Sequence, residues 1–270
     1  LPVITGPMGL LGLVWRQGDL EMARAAAAAG VPYALSTVSM HSLEDIARVA
    51  GGRLWFQCYV FRERAVTEAL IRRAAMAGYE VLIITSDFPV AGKRERDLRS
   101  GLLPARKLTL RTKFDILMHP RWLMTVAAQR PRFVNVEREL DPSRDAASFL
   151  PLNMFDPALD WDDFRRFRDL WKGKLLLKGV LRVDDAVRAV DCGADGVVLS
   201  NHGGRQLDCA VSGMDVLPHV AGEIRGRASI IVDGGVRRGS DIAKALACGA
   251  EAVILGRAVN YGLAAGGAAG

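Results

Sequence analysis

Short aliphatic and β-branched runs recur along the chain at Val3–Thr5, Tyr33–Leu35, Leu54–Cys58, Val81–Thr85, Lys174–Lys178, Gly196–Ser200, Ser229–Asp233 and Ala252–Leu255. Runs of this length, bounded by turn residues, predict buried strands. The stretches between them carry apolar residues at helical spacing, near Asp19–Ala29, Leu43–Ala50, Glu63–Ala77, Trp161–Trp171, Asp184–Cys192, Gly213–Ile224 and Ser240–Cys248. Three of these helices end in similar punctuation before the next strand: Ala29-Gly30-Val31-Pro32, Cys192-Gly193-Ala194-Asp195 and Cys248-Gly249-Ala250-Glu251. Glycine there supplies the left-handed cap that lets the chain turn sharply from helix to strand.

Strand–helix alternation joined by right-handed crossovers builds a parallel sheet. Eight such units within 270 residues favour closure into a (β/α)8 TIM barrel over an open, doubly wound sheet. One domain, residues 1–270, is the expected organisation. The rhythm breaks after strand four, where residues 93–150 read as a long inserted loop and not as a core element. The chain starts directly in the first strand, and its end, from Tyr261, is a small-residue tail that completes no recognisable element. The barrel is therefore expected to lack pieces at both ends.

The strand ends are asymmetric. Each strand hands over at its C-terminal end to residues with chemistry or exposed backbone: Gly6-Pro7-Met8-Gly9, Ser36-Thr37, Gln57 and Tyr59, Thr85 and Asp87, Lys178, Ser200-Asn201-His202, Asp233-Gly234-Gly235 and Gly256-Arg257. In a barrel those ends converge on one mouth, where such enzymes place their sites.

Composition narrows the class. Half the residues are hydrophobic and 24% are charged, which excludes a disordered chain. No run approaches the roughly 18–20 apolar residues of a membrane-spanning helix. Four cysteines form no CxxC pair or zinc-type spacing, so no metal site and a reduced, cytoplasmic compartment are expected. The net charge of +6 is local: Lys93–Arg144 holds thirteen basic against six acidic residues, and the remainder twenty-three against twenty-four. The basic segment interleaves Phe114, Ile116, Leu117, Met118, Trp122, Leu123, Met124, Val126 and Phe133. Such a segment can lie in an anionic membrane interface, or act as a solvated lid. Its aromatics follow no stacking platform, so no nucleic-acid partner is expected.

Several motifs carry chemistry. In Ser200-Asn201-His202-Gly203-Gly204-Arg205-Gln206-Leu207-Asp208, a histidine after a buried strand can serve as a general base near neutral pH, and Arg205 can grip a carboxylate with its planar fork. The turns Asp233-Gly234-Gly235-Val236-Arg237 and Leu255-Gly256-Arg257 follow strands seven and eight, where barrels bind phosphate on backbone amides and helix N-termini. Lys178 ends an apolar run and can stabilise a ligand that becomes anionic, with a Schiff-base role as the chemical rival. Without further context Arg94 reads as part of a solvated charge run.

The nine-residue stretch from Ser200 to Asp208, together with the strand-end residues along essentially the whole chain, resembles the FMN-dependent α-hydroxy acid dehydrogenase and oxidase family. The resemblance implies an FMN-binding TIM barrel that oxidises (S)-2-hydroxy acids to 2-oxo acids. It further implies that Pro7, Met8 and Gly9 pass along the flavin, that Ser36, Gln57 and Thr85 hydrogen-bond its ring, and that Lys178 sits beside its anionic edge. Ser200 and Asp233 would meet the ribityl chain, and Gly235, Arg237, Gly256 and Arg257 the phosphate. His202 would be the base, Asp87 its charge partner, Arg94 and Arg205 the carboxylate clamp, and Tyr59 the partner of the substrate hydroxyl.

Met8 stands where a threonine is more usual in this family, and an N-terminal segment with a further active-site tyrosine would precede Leu1. Gly9, smaller than the alanine of the oxidases, and His119-Pro120-Arg121-Trp122 resemble the dehydrogenase branch that acts on mandelate or lactate. In that branch the loop after strand four can bind a membrane. A homo-oligomer, peripheral on the inner face of a membrane and passing electrons to a membrane acceptor, is what this branch implies. The competing expectations are a soluble 2-hydroxy acid oxidase that uses oxygen, and a phosphate-binding barrel of other function with a basic membrane-binding loop.

Overall fold

The computed structural model describes residues 1–90, 92–95, 99, 108–126, 132–139 and 155–270. The first half of the barrel runs β1 (Val3–Thr5), α1 (Gly18–Ala28), β2 (Tyr33–Ser36), α2 (Leu43–Ala50), β3 (Leu54–Tyr59), α3 (Arg64–Met76) and β4 (Val81–Thr85). Among the described residues of the insertion lie three helices, α4 (Leu110–Leu117), α5 (Pro120–Thr125) and α6 (Val134–Glu137). The second half runs α7 (Trp161–Leu170), β5 (Lys174–Val180), α8 (Val183–Asp191), β6 (Gly196–Leu199), α9 (Gly213–Ile224), β7 (Ser229–Asp233), α10 (Gly239–Ala247), β8 (Ala252–Leu255) and α11 (Arg257–Gly266). The strands close in sequence order, all parallel, with β8 pairing back onto β1 through Val3↔Val253 and Ile4↔Ile254.

Two apolar cores result from the strand's period of two. Ile4, Ala34, Trp55, Val81, Ile83, Leu176, Val198, Ile231 and Ile254 point inward and fill the barrel. Their outward neighbours, among them Leu35, Phe56, Leu82, Ile84, Leu175, Leu177 and Val232, pack under the helices in a second, larger core. Successive side chains alternate faces, so the residue two places beyond each inward apolar residue also points inward, one layer nearer the mouth. That step leads from Ala34 to Ser36, Trp55 to Gln57, Ile83 to Thr85, Leu176 to Lys178 and Ile231 to Asp233. One stripe thus changes from apolar plug to polar site within a single strand.

The structure corrects two expectations. The tail from Tyr261 belongs to α11, which spans Arg257–Gly266 and sends Leu263 into the core. The inserted stretch 93–150, part of which falls outside the described residues, is not wholly peripheral, because Val126 and Val136 are buried. Buried Asn135 caps α2, its Oδ1 accepting from the Leu43 amide at 2.9 Å while its Nδ2 donates to Ser39 Oγ and the His41 carbonyl. Arg73 on α3 donates to Glu44 and Glu139, so one half-buried guanidinium ties α2, α3 and the residues after α6 together. By contrast, α4 buries none of its side chains. No described helix is long and apolar enough to cross a membrane.

Candidate active site

The C-terminal ends of the strands open into a cavity of about 670 Å³. Pro7, Met8, Gly9, Ser36, Gln57, Tyr59, Thr85, Arg94, Lys178, His202, Arg205, Asp233, Gly235, Arg237, Gly256 and Arg257 all line it. Asp87 and Ser200, also expected at the site, stand one layer behind the wall.

Along one side the strand ends form a buried relay. Ser36 Oγ donates to Gln57 Oε1 at 3.2 Å, and Gln57 Nε2 donates to Thr85 Oγ1 at 2.9 Å. With each acceptor supplied from behind, the outer member of the relay keeps its own hydroxyl proton to donate into the cavity. Beside it Lys178, 3% exposed, donates to Ser200 Oγ at 2.9 Å and pairs with Asp233 at 2.9 Å. Burial works against the ammonium charge, but the carboxylates of Asp233 and Asp87 outweigh it and raise its pKa above the ordinary lysine value. Its pairing with Asp233 and Ser200 suits a fixed cation better than a Schiff-base nucleophile.

Ser200, expected beside the ribityl chain, is fully buried. Strand β6 ends at Leu199, and the Ser200 hydroxyl turns inward to donate to Asp233 Oδ1 at 2.8 Å while accepting from the His202 amide at 3.0 Å. It braces Lys178 and starts the histidine turn.

His202 has φ +58°, a left-handed conformation that costs a non-glycine residue energy and is kept only where surrounding contacts enforce it. Its Nδ1 lies 3.1 Å from both carboxylate oxygens of Asp87. Burial alone would raise the Asp87 pKa, but the His202 hydrogen bond and the Lys178 charge hold it below the ordinary value. The carboxylate can only accept, so Nδ1 carries the proton and Nε2 presents its lone pair to the cavity. Nε2 faces the Tyr59 hydroxyl across 3.5 Å. Burial keeps that phenol protonated, with Asp87 adding to the effect and the nearby Arg94 and Arg205 opposing it. Arg94 Nε is buried without a partner among the described residues. A desolvated guanidinium donor of that kind calls for an anionic ligand.

Gly179 explains how Asp87 reaches its place. Its φ is +101°, and a Cβ there would lie 2.6 Å from Asp87 Cβ. The register of the β5–β6 pairing also shifts between Lys178 and Val180, at this same glycine.

Gly234 (φ +96°) and Gly235 (φ +78°) turn the chain at the cavity wall, which Gly256 and Arg257 at the N-terminus of α11 also line. That helix has no side-chain cap, leaving its first amides for an anion. Arg257 reaches across to the Gly203 carbonyl at 3.0 Å, so its fork stays at the cavity edge. At the neighbouring α10, Asp241 accepts from the amides of Arg237 and Arg238, the two residues just before that helix. Gly235, Arg237, Gly256 and Arg257 all line this end of the cavity. A planar polar wall, a buried cation and an anion cradle at opposite ends match the ring and phosphate of FMN.

Sequence reasoning missed an aromatic wall. Tyr59, Phe88 and Phe155 pack pairwise with ring centroids 4.9–5.0 Å apart, and Phe88 lies 6.1 Å from the His202 ring. Phe88 follows Asp87 directly and could have been found by the strand-end rule that found its neighbour. Phe155 gave no local signal, since it arrives from beyond the insertion and is held by an isolated bridge to Phe61.

A family model described as FMN-dependent dehydrogenase matches residues 1–270. The chain is 45% identical over 271 residues to (S)-mandelate dehydrogenase of Pseudomonas putida, covering 100% of this chain and 68% of that protein. It is 43% identical over 275 residues to L-lactate dehydrogenase of Caulobacter vibrioides, at 100% and 71% coverage. A putative L-lactate dehydrogenase of Mycobacterium tuberculosis is 44% identical, and the chain spans 65% of its length. Among solved structures, the monotopic membrane protein (S)-mandelate dehydrogenase superposes with TM-score 0.93 at 44% identity, over 100% of this chain and 72% of that one. A mandelate oxidase variant solved with (S)-mandelic acid gives 0.79 at 40%, over 99% and 68%. With every residue matched by the family model and a barrel mouth suited to the flavin, the chain belongs to the FMN-dependent dehydrogenase family.

Proposed function

We propose that this protein oxidises (S)-2-hydroxy acids to 2-oxo acids, with aryl acids such as mandelate ahead of lactate. One observation carries the reading: His202 turns Nε2 toward the Tyr59 hydroxyl, is backed by Asp87, and faces the same cavity as two arginines. Arg94 and Arg205 grip the substrate carboxylate. The substrate hydroxyl then sits between Nε2 and Tyr59, where His202 takes a proton as general base. Asp87 stabilises the imidazolium that forms, and Tyr59, kept neutral, donates to the substrate oxygen as its charge changes. Pro7, Met8, Gly9, Ser36, Gln57, Thr85 and Lys178 would hold the flavin ring, and Gly235, Gly256 and Arg257 its phosphate. FMN, when bound, supplies the two-electron acceptor. Phe88 and Phe155 offer an apolar, aromatic surface to the substrate side chain.

The test is anaerobic mixing of the FMN-loaded protein with (S)-mandelate, L-lactate and glycolate. Bleaching of the flavin absorption fastest with mandelate is expected. No bleaching with any of the three would defeat the reading.

A membrane location has its own observation in support. Leu110, Phe114, Leu117, Met118 and Met124 are all more than 60% exposed on α4, α5 and the turn between them, next to exposed Arg111 and Lys113. Apolar side chains with basic neighbours suit an anionic lipid interface, and a similar protein is described as monotopic. Electrons would then pass to a membrane acceptor. Peroxide release matching flavin reduction would instead favour oxygen as the oxidant.

A further inference from the structure

Four of the groups assigned to proton transfer and carboxylate binding sit on two separate loops. Asp87 and Arg94 follow β4; His202 and Arg205 follow β6. Gln206 joins the loops. Its Nε2 donates to the Asp87 carbonyl at 3.1 Å and to the Val90 carbonyl at 3.0 Å. Its Oε1 is buried with no partner among the described residues, so the side chain is oriented by its donors alone. Gly92 makes the approach possible, since a Cβ there would overlap the Arg205 carbonyl oxygen and lie 2.9 Å from both Gln206 Cα and Oε1. Asp87 is thus held from two directions, its carboxylate by His202 and its carbonyl by Gln206.

We propose that Gln206 is a positioning residue that, with Gly92, staples the two loops and sets the spacing of Arg94 and Arg205 for a substrate carboxylate. The inference rests on the 2-hydroxy acid reading for the identity of that carboxylate. Gln206 touches neither substrate nor flavin in this role.

The experiment uses FMN-loaded wild type, Gln206→Leu, the near-isosteric Gln206→Glu and Gly92→Ala. Binding of benzoate, an unreactive aryl carboxylate, is read from the shift in flavin absorption, beside kcat and KM for mandelate. Loss of the two donors is expected to raise both the benzoate Kd and KM roughly tenfold, with kcat within about threefold and flavin retained. Gln206→Glu should behave like Gln206→Leu, because a carboxylate cannot donate to carbonyls. In an Arg94→Met background the same changes should add less than about twofold, since coupled residues are not additive. Wild-type Kd and KM in Gln206→Glu, or a full additive effect in the Arg94→Met background, would overturn the proposal. If wild type binds benzoate but no hydroxy acid bleaches it, the catalytic reading falls while the benzoate titrations still decide the staple.

Discussion

His202 Nδ1 and the Asp87 carboxylate meet at 3.1 Å through both oxygens, across 115 residues of chain that include the whole insertion. The pair fixes the tautomer of the base and leaves Nε2 as the acceptor. His202→Gln is expected to lower the rate of flavin reduction by about 10²–10⁴ while leaving the oxidised flavin spectrum intact. Stopped-flow absorbance checks this, and retained turnover would remove His202 as the base.

Asp87 also gives a pH signature. Its folded pKa lies below the ordinary 3.8, so its pairing stabilises the fold above that value and is lost as pH falls through the depressed one. The stabilising part of the melting-temperature gap between wild type and Asp87→Asn should therefore be lost only below the ordinary carboxyl range. A gap that closes near neutrality would contradict the pairing.

Lys178 runs the opposite way. Its folded pKa is raised above 10.5, so its contribution is complete below that value and fades only as pH rises through the raised one. Lys178→Met leaves Asp233 without its cation, at a cost of about 3–5 kcal/mol, and should also weaken FMN binding. Adding Asp233→Asn should recover much of the stability and little of the flavin affinity. Denaturant titration and flavin fluorescence separate the two.

Gly179→Ala combines a left-handed backbone with a clash at Asp87. A loss of about 1–3 kcal/mol is expected, together with slower flavin reduction because Asp87 is pushed from His202. Unchanged kinetics with lowered stability would confine the role of Gly179 to the fold.

Phe88→Ala should discriminate between substrates. Removing one face of the aromatic wall is expected to raise KM for mandelate about tenfold relative to lactate. Equal effects on both acids would argue that the wall does not contact the substrate side chain.

For the membrane surface, Phe114→Ser, Leu117→Ser and Met118→Ser combined should lower co-sedimentation with anionic vesicles by more than about tenfold. Turnover of a soluble hydroxy acid should not change. Vesicle binding equal to wild type would defeat the assignment.

The barrel was legible in the sequence because each strand is a short apolar run and each helix an amphipathic one, and both signals are local. The mouth was legible too, since strand period and direction together place Ser36, Gln57, Thr85, Lys178 and Asp233 on one rim. Nothing local could reveal that Ser200 spends its hydroxyl bracing Lys178, or that Asn135 of the insertion caps α2. Those contacts join residues distant in sequence, and only chain closure brings them together. The same holds for Phe155 beside Tyr59, for Gln206 on the carbonyls of Asp87 and Val90, and for Gly179, whose absent side chain makes room for Asp87. Sequence by itself determined which groups could reach the mouth; tertiary packing decided which of them face the ligand and which hold the others in place, because burial and hydrogen-bond partners depend on neighbours the local pattern does not contain.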